Sequence, residues 1–293
     1  MSDVATSAAA ASPPTEAPLT EVRGPSALGG GWRRFFDLLW LMSVTEFKRV
    51  YFGTVLGYIW SLVRPLLLFA VLLFVFTQIF KLGSDQAEYY PVLLLLGIVL
   101  FTFFSEGTQN AVTSVVTQEG VVRKTQFPRL VIPLATTLTG AFNLALNMVV
   151  VFAFVLAFGV DPKWTWLLFP IPLALLFVLT AATSMALSVL YVRFRDVAII
   201  WTVVAQVLFY ATPVLYPIEI IENETYEHLL MVNPLAVIFE QVRVWMLEPG
   251  APTAAEVAGG ATGLIPAVAI YVFVCVFAVW VFRRQAPRIA EEL

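Results

Sequence analysis

Six long apolar segments are the feature that most constrains how this chain folds. Each holds about 20 residues, the length that an α-helix needs to cross the ~30 Å hydrocarbon core of a bilayer. The backbone polar groups of a membrane span must satisfy one another, so each segment predicts a transmembrane helix. The predicted spans are 57–80, 90–116, 132–158, 165–190, 197–216 and 264–282.

The composition supports this interpretation. The chain of 293 residues is 60% hydrophobic and only 13% charged. A soluble domain would be about 45–50% apolar and about 25% charged. The sequence therefore predicts an all-α polytopic membrane protein with six transmembrane helices.

The sequence carries no motif for metals, nucleotides or catalysis. Its one cysteine and one histidine exclude an internal disulfide and disfavour a metal centre built on Cys or His ligands. It has no Gly-x-x-x-x-Gly-Lys-[Ser/Thr] loop for ATP, no Gly-x-Ser-x-Gly motif and no His-Glu-x-x-His motif. We therefore predict that this chain is not an enzyme and holds no metal, no cofactor and no catalytic residue.

Basic residues predict the orientation of the chain. With six spans both termini share one side, and placing them in the cytoplasm puts thirteen Lys or Arg residues inside and three outside. The outer three are Lys81, Lys163 and Arg243. Since cytoplasmic loops carry an excess of Lys and Arg, we predict a multi-pass membrane protein with both termini in the cytoplasm.

Three segments outside the spans have compositions of their own. Residues 1–30 are rich in Ala, Ser, Thr, Pro and Gly, and predict a disordered cytoplasmic tail before a transmembrane domain at 31–293. The stretch "GWRRFFDLLWLMSVTEFKRVYFG" has an apolar stripe and predicts an amphipathic helix in the membrane interface, or an ordinary juxtamembrane helix. Residues 217–262 predict re-entrant or surface helices, with a small solvated outer domain as the alternative.

Two charged residues lie inside the predicted spans. At 1.5 Å per residue, Arg64 and Glu106 lie roughly 24 Å and 22 Å from the outer ends of the first two spans. Charged groups at such depth tend to find partners, so we predict that these two side chains pair, within or across protomers. The alternative has Arg64 reaching lipid phosphates and Glu106 protonated or bonded to an amide.

Amide side chains make up the other polar positions of the spans. They are Gln109, Asn110, Asn143, Asn147 and Gln206. We interpret them as groups that hold helices together through hydrogen bonds, and a place along a transport pathway is the alternative.

Five short motifs occur in an order that resembles one family. They are "FKRVYFGTVLGYIWSLVRPLL", "RKTQFPRLVIPLA", "VRFRDVAII", "TPVLYPIEII" and "NPLAVIFEQVR". Over about residues 31–293 the chain resembles the permease subunit of ABC-2 type exporters, and most closely the branch that exports cell-surface polysaccharides. Thr212 stands where that family more often has Ser.

The resemblance implies a function and partners. It implies a homodimer of this chain bound to two copies of a separate ABC ATPase, which would hold the ATP and Mg. The complex would lie in the bacterial cytoplasmic (inner) membrane and export a polysaccharide carried on polyprenyl pyrophosphate, such as O-antigen, teichoic acid or galactan, for cell wall biogenesis. High Ala and Val usage hints at an actinobacterial galactan exporter. Membrane lipid is a further expected contact, and nucleic acid is not.

Other functions stay open on the sequence alone. An ABC-2 permease for a drug, an antibiotic or a lipid would share the topology and would have a less aromatic cleft that opens to lipid. A membrane glycosyltransferase or polymerase is disfavoured because no Asp residues cluster to hold a metal-bound nucleotide. A structural scaffold would not need five pathway-type motifs.

The resemblance also implies which residues couple this chain to the ATPase. The segment between the second and third spans would form a short coupling helix that docks into a groove of that subunit. A basic loop that only enforces topology is the alternative. The coupling residues are Gly120, Val121, Val122, Arg123, Lys124, Phe127, Pro128 and Arg129.

Two further sets of residues are predicted to meet the substrate. Aromatic rings suit the apolar C–H faces of sugars, and pyrophosphate binds cations. The channel candidates are Trp60, Phe101, Phe103, Phe104, Tyr210 and Tyr216. The pyrophosphate candidates are Lys48, Arg49 and Arg64, for which lipid anchoring is the alternative.

Overall fold

The described part of the chain is helical, without a β-strand. The computed structural model describes residues 31–51, 57–79, 89–120, 128–221, 223–248 and 250–285. The predicted disordered tail at 1–30 lies outside these residues.

Ten α-helices make up the fold of the described residues. They are α1 Trp32–Tyr51, α2 Gly57–Phe74, α3 Tyr90–Thr117, α4 Val131–Ala157, α5 Pro170–Arg193, α6 Val197–Tyr210, α7 Glu224–Leu230, α8 Pro234–Met246, α9 Ala254–Val257 and α10 Ile265–Gln285. A π-helical turn, Val75–Ile79, extends α2, and short 3₁₀ turns precede α5 and α10.

The predicted spans and the observed helices agree closely at five places. Within the described residues, five helical stretches are long and apolar enough to cross a bilayer. They are Ile59–Ile79, Tyr90–Thr117, Val131–Ala157, Trp164–Arg193 and Ala261–Gln285. Because α7 and α8 are bent by 104° and pass the same test together, the number of candidate spans is five or six. The all-α polytopic fold is confirmed.

The predicted fifth span is shorter than expected. The helix α6 ends at Tyr210 rather than at residue 216, so its 14 residues cover only about 21 Å. Pro213 disfavours helical backbone at the residue before it, which ends the helix. The chain then continues as a turn that packs against α3: Tyr90 Oη donates a hydrogen bond to the carbonyl oxygen of Leu215 at 2.8 Å. A Cβ at Gly97 would lie 3.0 Å from the carbonyl oxygen of Val214.

The centre of the bundle is α3. It is buried along most of its length and packs against α4 and α5, while α2 and α10 are largely exposed. Small residues let these helices approach closely, as is usual between membrane helices. A Cβ at Gly107 would lie 3.1 Å from Cγ2 of Thr180 on α5. The apolar exposed surfaces of α2 and α10 are what a lipid-facing position requires.

The first helix packs on α4. Trp40 and Phe47 meet the edge of Phe142 at centroid distances of 5.4 and 5.8 Å, and Thr139 Oγ1 donates to the carbonyl oxygen of Ser43 at 3.2 Å. Other apolar residues of α1 are exposed, such as Phe36, which is 55% exposed. The helix itself is therefore present, and its position in the membrane interface stays a prediction.

The chain between α6 and α10 is held to the bundle rather than forming a domain of its own. Asn233 caps α8 by accepting a hydrogen bond from the backbone of Leu235, and its Nδ2 donates to Thr212 Oγ1 at 2.9 Å. Thr165 Oγ1 and Trp166 Nε1 donate to backbone carbonyls at the end of α8. The bond between Asn233 and Thr212 joins two of the five motifs, "NPLAVIFEQVR" and "TPVLYPIEII". Together, the bonds of this paragraph favour re-entrant or surface helices over a separate solvated domain.

Candidate functional site

A cavity of about 1480 Å³ opens between α2, α3, α4 and α6, with the end of α1 at its rim. The polar side of α3 forms one wall, because its polar residues recur every three or four positions and so share a face of the helix. These residues are Thr102, Ser105, Glu106, Gln109, Asn110, Thr113 and Thr117. The opposite face of α3, with Phe104, Ala111 and Val115, is buried in the bundle.

The neighbouring helices complete the wall with the same spacing. Their polar residues at the cavity are Thr136, Thr139, Asn143 and Asn147 on α4, and Thr202 and Gln206 on α6. Hydroxyl and amide groups line a large part of this cavity. Within a membrane bundle such groups suit water or a hydroxyl-rich molecule, since lipid tails offer them no hydrogen bond.

The predicted charged pair lies on this wall. Arg64 Nη1 on α2 donates to Glu106 Oε1 on α3 at 2.9 Å, within one chain. The two side chains are 73% and 37% exposed, and both face the cavity. A second ion pair, between Arg49 and Glu46, joins α1 residues at the rim with a separation of 3.5 Å. Each cation in the described part of the cavity lining thus has a carboxylate beside it.

The amides do not act as the sequence suggested. All five line the cavity, and among the described residues none of their side chains bonds to another helix. Gln109 Nε2 donates to Ser105 Oγ at 2.7 Å, and Asn147 Nδ2 donates to the carbonyl oxygen of Asn143 at 2.9 Å, both along their own helices. Helix spacing was the signal that could have found this wall, since the polar positions of α3 and α4 each follow a single face.

Four of the six aromatic candidates line the cavity and two do not. Trp60, Phe101, Phe103 and Tyr210 are on the lining. Phe104 is 3% exposed and packs on Trp201 at a centroid distance of 6.2 Å. Trp201 is fixed in turn by a hydrogen bond from its Nε1 to Thr108 Oγ1 at 2.9 Å.

The second candidate off the lining is Tyr216, whose hydroxyl donates to the carbonyl oxygen of Tyr210 at 3.3 Å. Sequence reasoning missed Phe209, which lines the cavity and meets Phe101 edge-on at 5.0 Å.

The other candidates are only partly described. Arg49 and Arg64 line the cavity and Lys48 does not. Of the coupling residues, those within Val121–Phe127 lie outside the described part of the chain. Gly120, three residues after the end of α3, is exposed, and Pro128, just before α4, is buried.

Comparison with known proteins identifies the family. A model of the ABC-2 type transporter family matches residues 37–247. The chain belongs to this family. The matched region extends from α1 to the end of α8 and so includes every helix that lines the cavity. The protein is therefore a multi-pass membrane permease of the ABC-2 type, as the five motifs predicted.

Several relatives carry a more specific name. Two proteins of Klebsiella pneumoniae, each named O-antigen export system permease protein RfbA, are 30% identical to this chain over 203 residues. The match covers 69% of this chain and 76% of each relative. A protein of the same name from Myxococcus xanthus is 26% identical over 222 residues, which is 75% of this chain and 84% of the relative.

Proposed function

We propose that this chain is the transmembrane subunit of an ATP-driven transporter that exports a lipid-linked cell-surface polysaccharide across the cytoplasmic membrane. The observation that carries the proposal is the cavity, whose wall combines hydroxyl and amide groups with the rings of Trp60, Phe101, Phe209 and Tyr210. Sugars present hydroxyls at their edges and C–H faces between them, and this lining matches both. The names of the three relatives point to the same substrate class.

The alternative substrate is a drug, an antibiotic or a lipid carried by a permease of the same family. Such a molecule presents mainly apolar surface, and ligand pockets for it are lined mainly by apolar side chains. Most of the α3 residues that line this cavity are polar, which favours the polysaccharide.

The complex we propose contains two copies of this chain and two copies of a separate ATPase. The sequence has no P-loop, so ATP and Mg would be held by that ATPase. The basic segment between α3 and α4 would dock on it from the cytoplasmic side, with both termini of this chain on the same side. O-antigen, teichoic acid and galactan are the substrate types that the resemblance implies.

The carrier's pyrophosphate would be received by cations at the rim of the cavity. Arg49 and Arg64 line the cavity, and each is already next to a carboxylate, so a pyrophosphate would exchange with Glu46 or Glu106 as the partner of the guanidinium. Bidentate contacts between Arg and phosphate are stronger than those of neutral groups. Lys48 lies off the lining and would act only from the adjoining surface.

The proposed function is tested by reconstitution. The chain, co-purified with its ATPase and placed in proteoliposomes, should move a polyprenyl-pyrophosphate-linked oligosaccharide across the bilayer when ATP is added. A complex that leaves the glycan carrier in place while it transports a hydrophobic drug would overturn the proposal in favour of the alternative.

Reversing two charges of the basic segment tests the coupling role. A double variant, Arg123→Glu with Lys124→Glu, should keep the membrane helices folded but lose transport, because a partner that docks on cations would be repelled. ATP hydrolysis by the co-purified complex and glycan transport are the measurements. The matched control is Arg283→Glu with Arg284→Glu, an exposed basic pair at the end of α10. Normal export by the first double variant would remove the coupling role.

Alanine substitutions separate lining rings from buried ones. Trp60→Ala and Tyr210→Ala should slow export by roughly two- to tenfold, the equivalent of one aromatic contact, with normal assembly, because both rings are exposed in the cavity. Phe104→Ala should instead reduce the amount of folded protein, since removing a buried Phe costs about 3–5 kcal/mol. Trp280→Ala, an exposed ring on α10 away from the cavity, is the control. Unchanged export in both lining variants would place the path elsewhere.

A further inference from the structure

Four amides rise in steps along the cavity wall, and we call them the amide ladder: Asn110, Gln206, Asn143 and Asn147. They lie seven, nine, twelve and sixteen residues from the ends of α3, α6, α4 and α4 on the side of the basic segment. At 1.5 Å per residue these positions are about 10, 14, 18 and 24 Å into the bundle. The ladder therefore covers about 14 Å of depth, roughly half of a ~30 Å hydrocarbon core.

The ladder has hydrogen-bonding capacity that the protein leaves unused. Within the described part of the chain, the side chains of Asn110 and Gln206 make no hydrogen bond. Asn143 uses only its oxygens, which accept from Asn147 Nδ2 at 2.9 and 3.2 Å. An amide without a partner is costly in an apolar environment, so lipid tails suit these positions poorly. Asn110 and Gln206 are exposed, so water or another molecule that donates and accepts hydrogen bonds can reach them.

The charge of the lining further restricts which kind of molecule the cavity suits. Among the described residues of the lining, the charged ones are two arginines, Arg49 and Arg64, and two glutamates, Glu46 and Glu106, whose formal charges sum to zero. Both cations lie beside carboxylates, and the ladder itself carries no charge. A chain with a phosphate in every repeat unit would lose hydration without gaining countercharges along its length. A neutral chain has no such cost.

We propose that the amide ladder binds the hydroxyl groups of a neutral glycan as it passes, and so selects neutral sugar chains over polyanionic ones. Each amide both donates and accepts, as each hydroxyl does, and the differences in depth of about 3 to 6 Å between successive rungs would let successive sugars exchange one partner for the next. The rings of Phe209 and Tyr210 lie on the same lining, where the C–H surfaces of the sugars would pack against them. This inference rests on the proposed function and narrows its substrate class.

The first test asks whether the ladder is reached by water, without any substrate. In a Cys275→Ser background, which removes the one native cysteine, single variants Asn110→Cys, Gln206→Cys and Asn143→Cys are treated with a membrane-impermeant thiol reagent from the cytoplasmic side. All three should be labelled. Val276→Cys is the matched control, since Val276 is 62% exposed on α10, off the lining and nine residues from the helix end. Ladder cysteines that react no faster than this control would overturn the proposal.

The second test asks whether the ladder recognises sugar. ATP hydrolysis by the complex of this chain with its ATPase is measured with three probes: polyprenyl pyrophosphate alone, the same carrier with a neutral oligosaccharide, and the carrier with a phosphate-substituted oligosaccharide. The neutral glycan should stimulate at the lowest concentration. A triple variant, Asn110→Leu with Asn143→Leu and Gln206→Leu, should need about tenfold more of it, with an unchanged response to the sugar-free carrier.

The outcomes separate the two proposals. Equal loss for all three probes, or a preference of the unmodified complex for the phosphate-substituted glycan, overturns the role of the ladder and leaves polysaccharide export standing. An unmodified complex that none of the three carriers stimulates overturns polysaccharide export itself. If the triple variant does not assemble, protection of the labelled cysteines by the neutral glycan carrier decides the question, and its absence counts against the ladder.

Discussion

Export by an Arg64→Met variant is expected to fall close to background. The substitution leaves Glu106 inside the bundle without the guanidinium that now lies 2.9 Å away. A lone charge at mid-bilayer costs roughly 2.5–3.5 kcal/mol on insertion scales, and this is an upper value here because both side chains face the cavity. Glu106→Gln should be milder, since Arg64 is 73% exposed and faces the cavity. Glycan transport and the amount of assembled complex are the measurements.

Swapping the two charges is the sharper experiment. Arg64→Glu with Glu106→Arg should restore part of the export that each single reversal removes, because the pair is re-formed between α2 and α3. Arg284→Met, at the exposed end of α10, is the control for loss of a cation elsewhere. A swapped protein no better than the single variants would show that the positions act independently, and the pair would then have no role of its own.

Depth along a helix could be predicted from the sequence, and this is why the pair could be anticipated. The rise of an α-helix is nearly constant, and consecutive spans joined by a short connection tend to be antiparallel neighbours. Counting residues from the outer ends of two spans therefore places Arg64 and Glu106 at similar heights. The direction in which each side chain points does not follow from counting, and here the structure supplies it.

The face that each helix turns toward the cavity was harder to predict than the depth of a residue along it. Phe101 and Phe104 are three residues apart in the same apolar stretch, yet one lines the cavity and the other packs on Trp201. Aromatic residues occur both in protein cores and along transport pathways, so the residue type does not reveal whether a ring faces the core or the cavity. The polar residues of α3 would have been the better guide, because their spacing marks the cavity side of the helix.

The end of a helix could be predicted from the sequence where a proline interrupts the apolar segment. The predicted span at 197–216 includes Pro213, and α6 stops three residues earlier at Tyr210. The turn that follows is fixed by contacts distant in sequence, from Tyr90 and from Asn233. Such contacts cannot be read from local propensity, which is why the break itself was foreseeable and the path after it was not.

The strongest expected loss of stability comes from Arg243. Charge counting treated this residue as one of three outer cations, but it is only 3% exposed and lies between two carboxylates. Its guanidinium is 3.3 Å from Glu240 Oε1 and 2.5 Å from Glu248 Oε2. This cluster joins α8 to the chain that follows it, next to the backbone carbonyls that bind Thr165 and Trp166.

An Arg243→Met variant should therefore assemble poorly. The change leaves two carboxylates near each other, of which Glu240 is 2% exposed, and removing one partner of a buried pair costs about 3–5 kcal/mol. Arg243→Lys should recover only part of the stability, because one ammonium cannot bridge both carboxylates as a planar guanidinium does. Adding Glu240→Gln to Arg243→Met should recover more, since it removes the buried charge that lost its partner. Thermal unfolding in detergent checks this order, and equal melting of Arg243→Met and the unmodified protein would show that the cluster does not hold α8 in place.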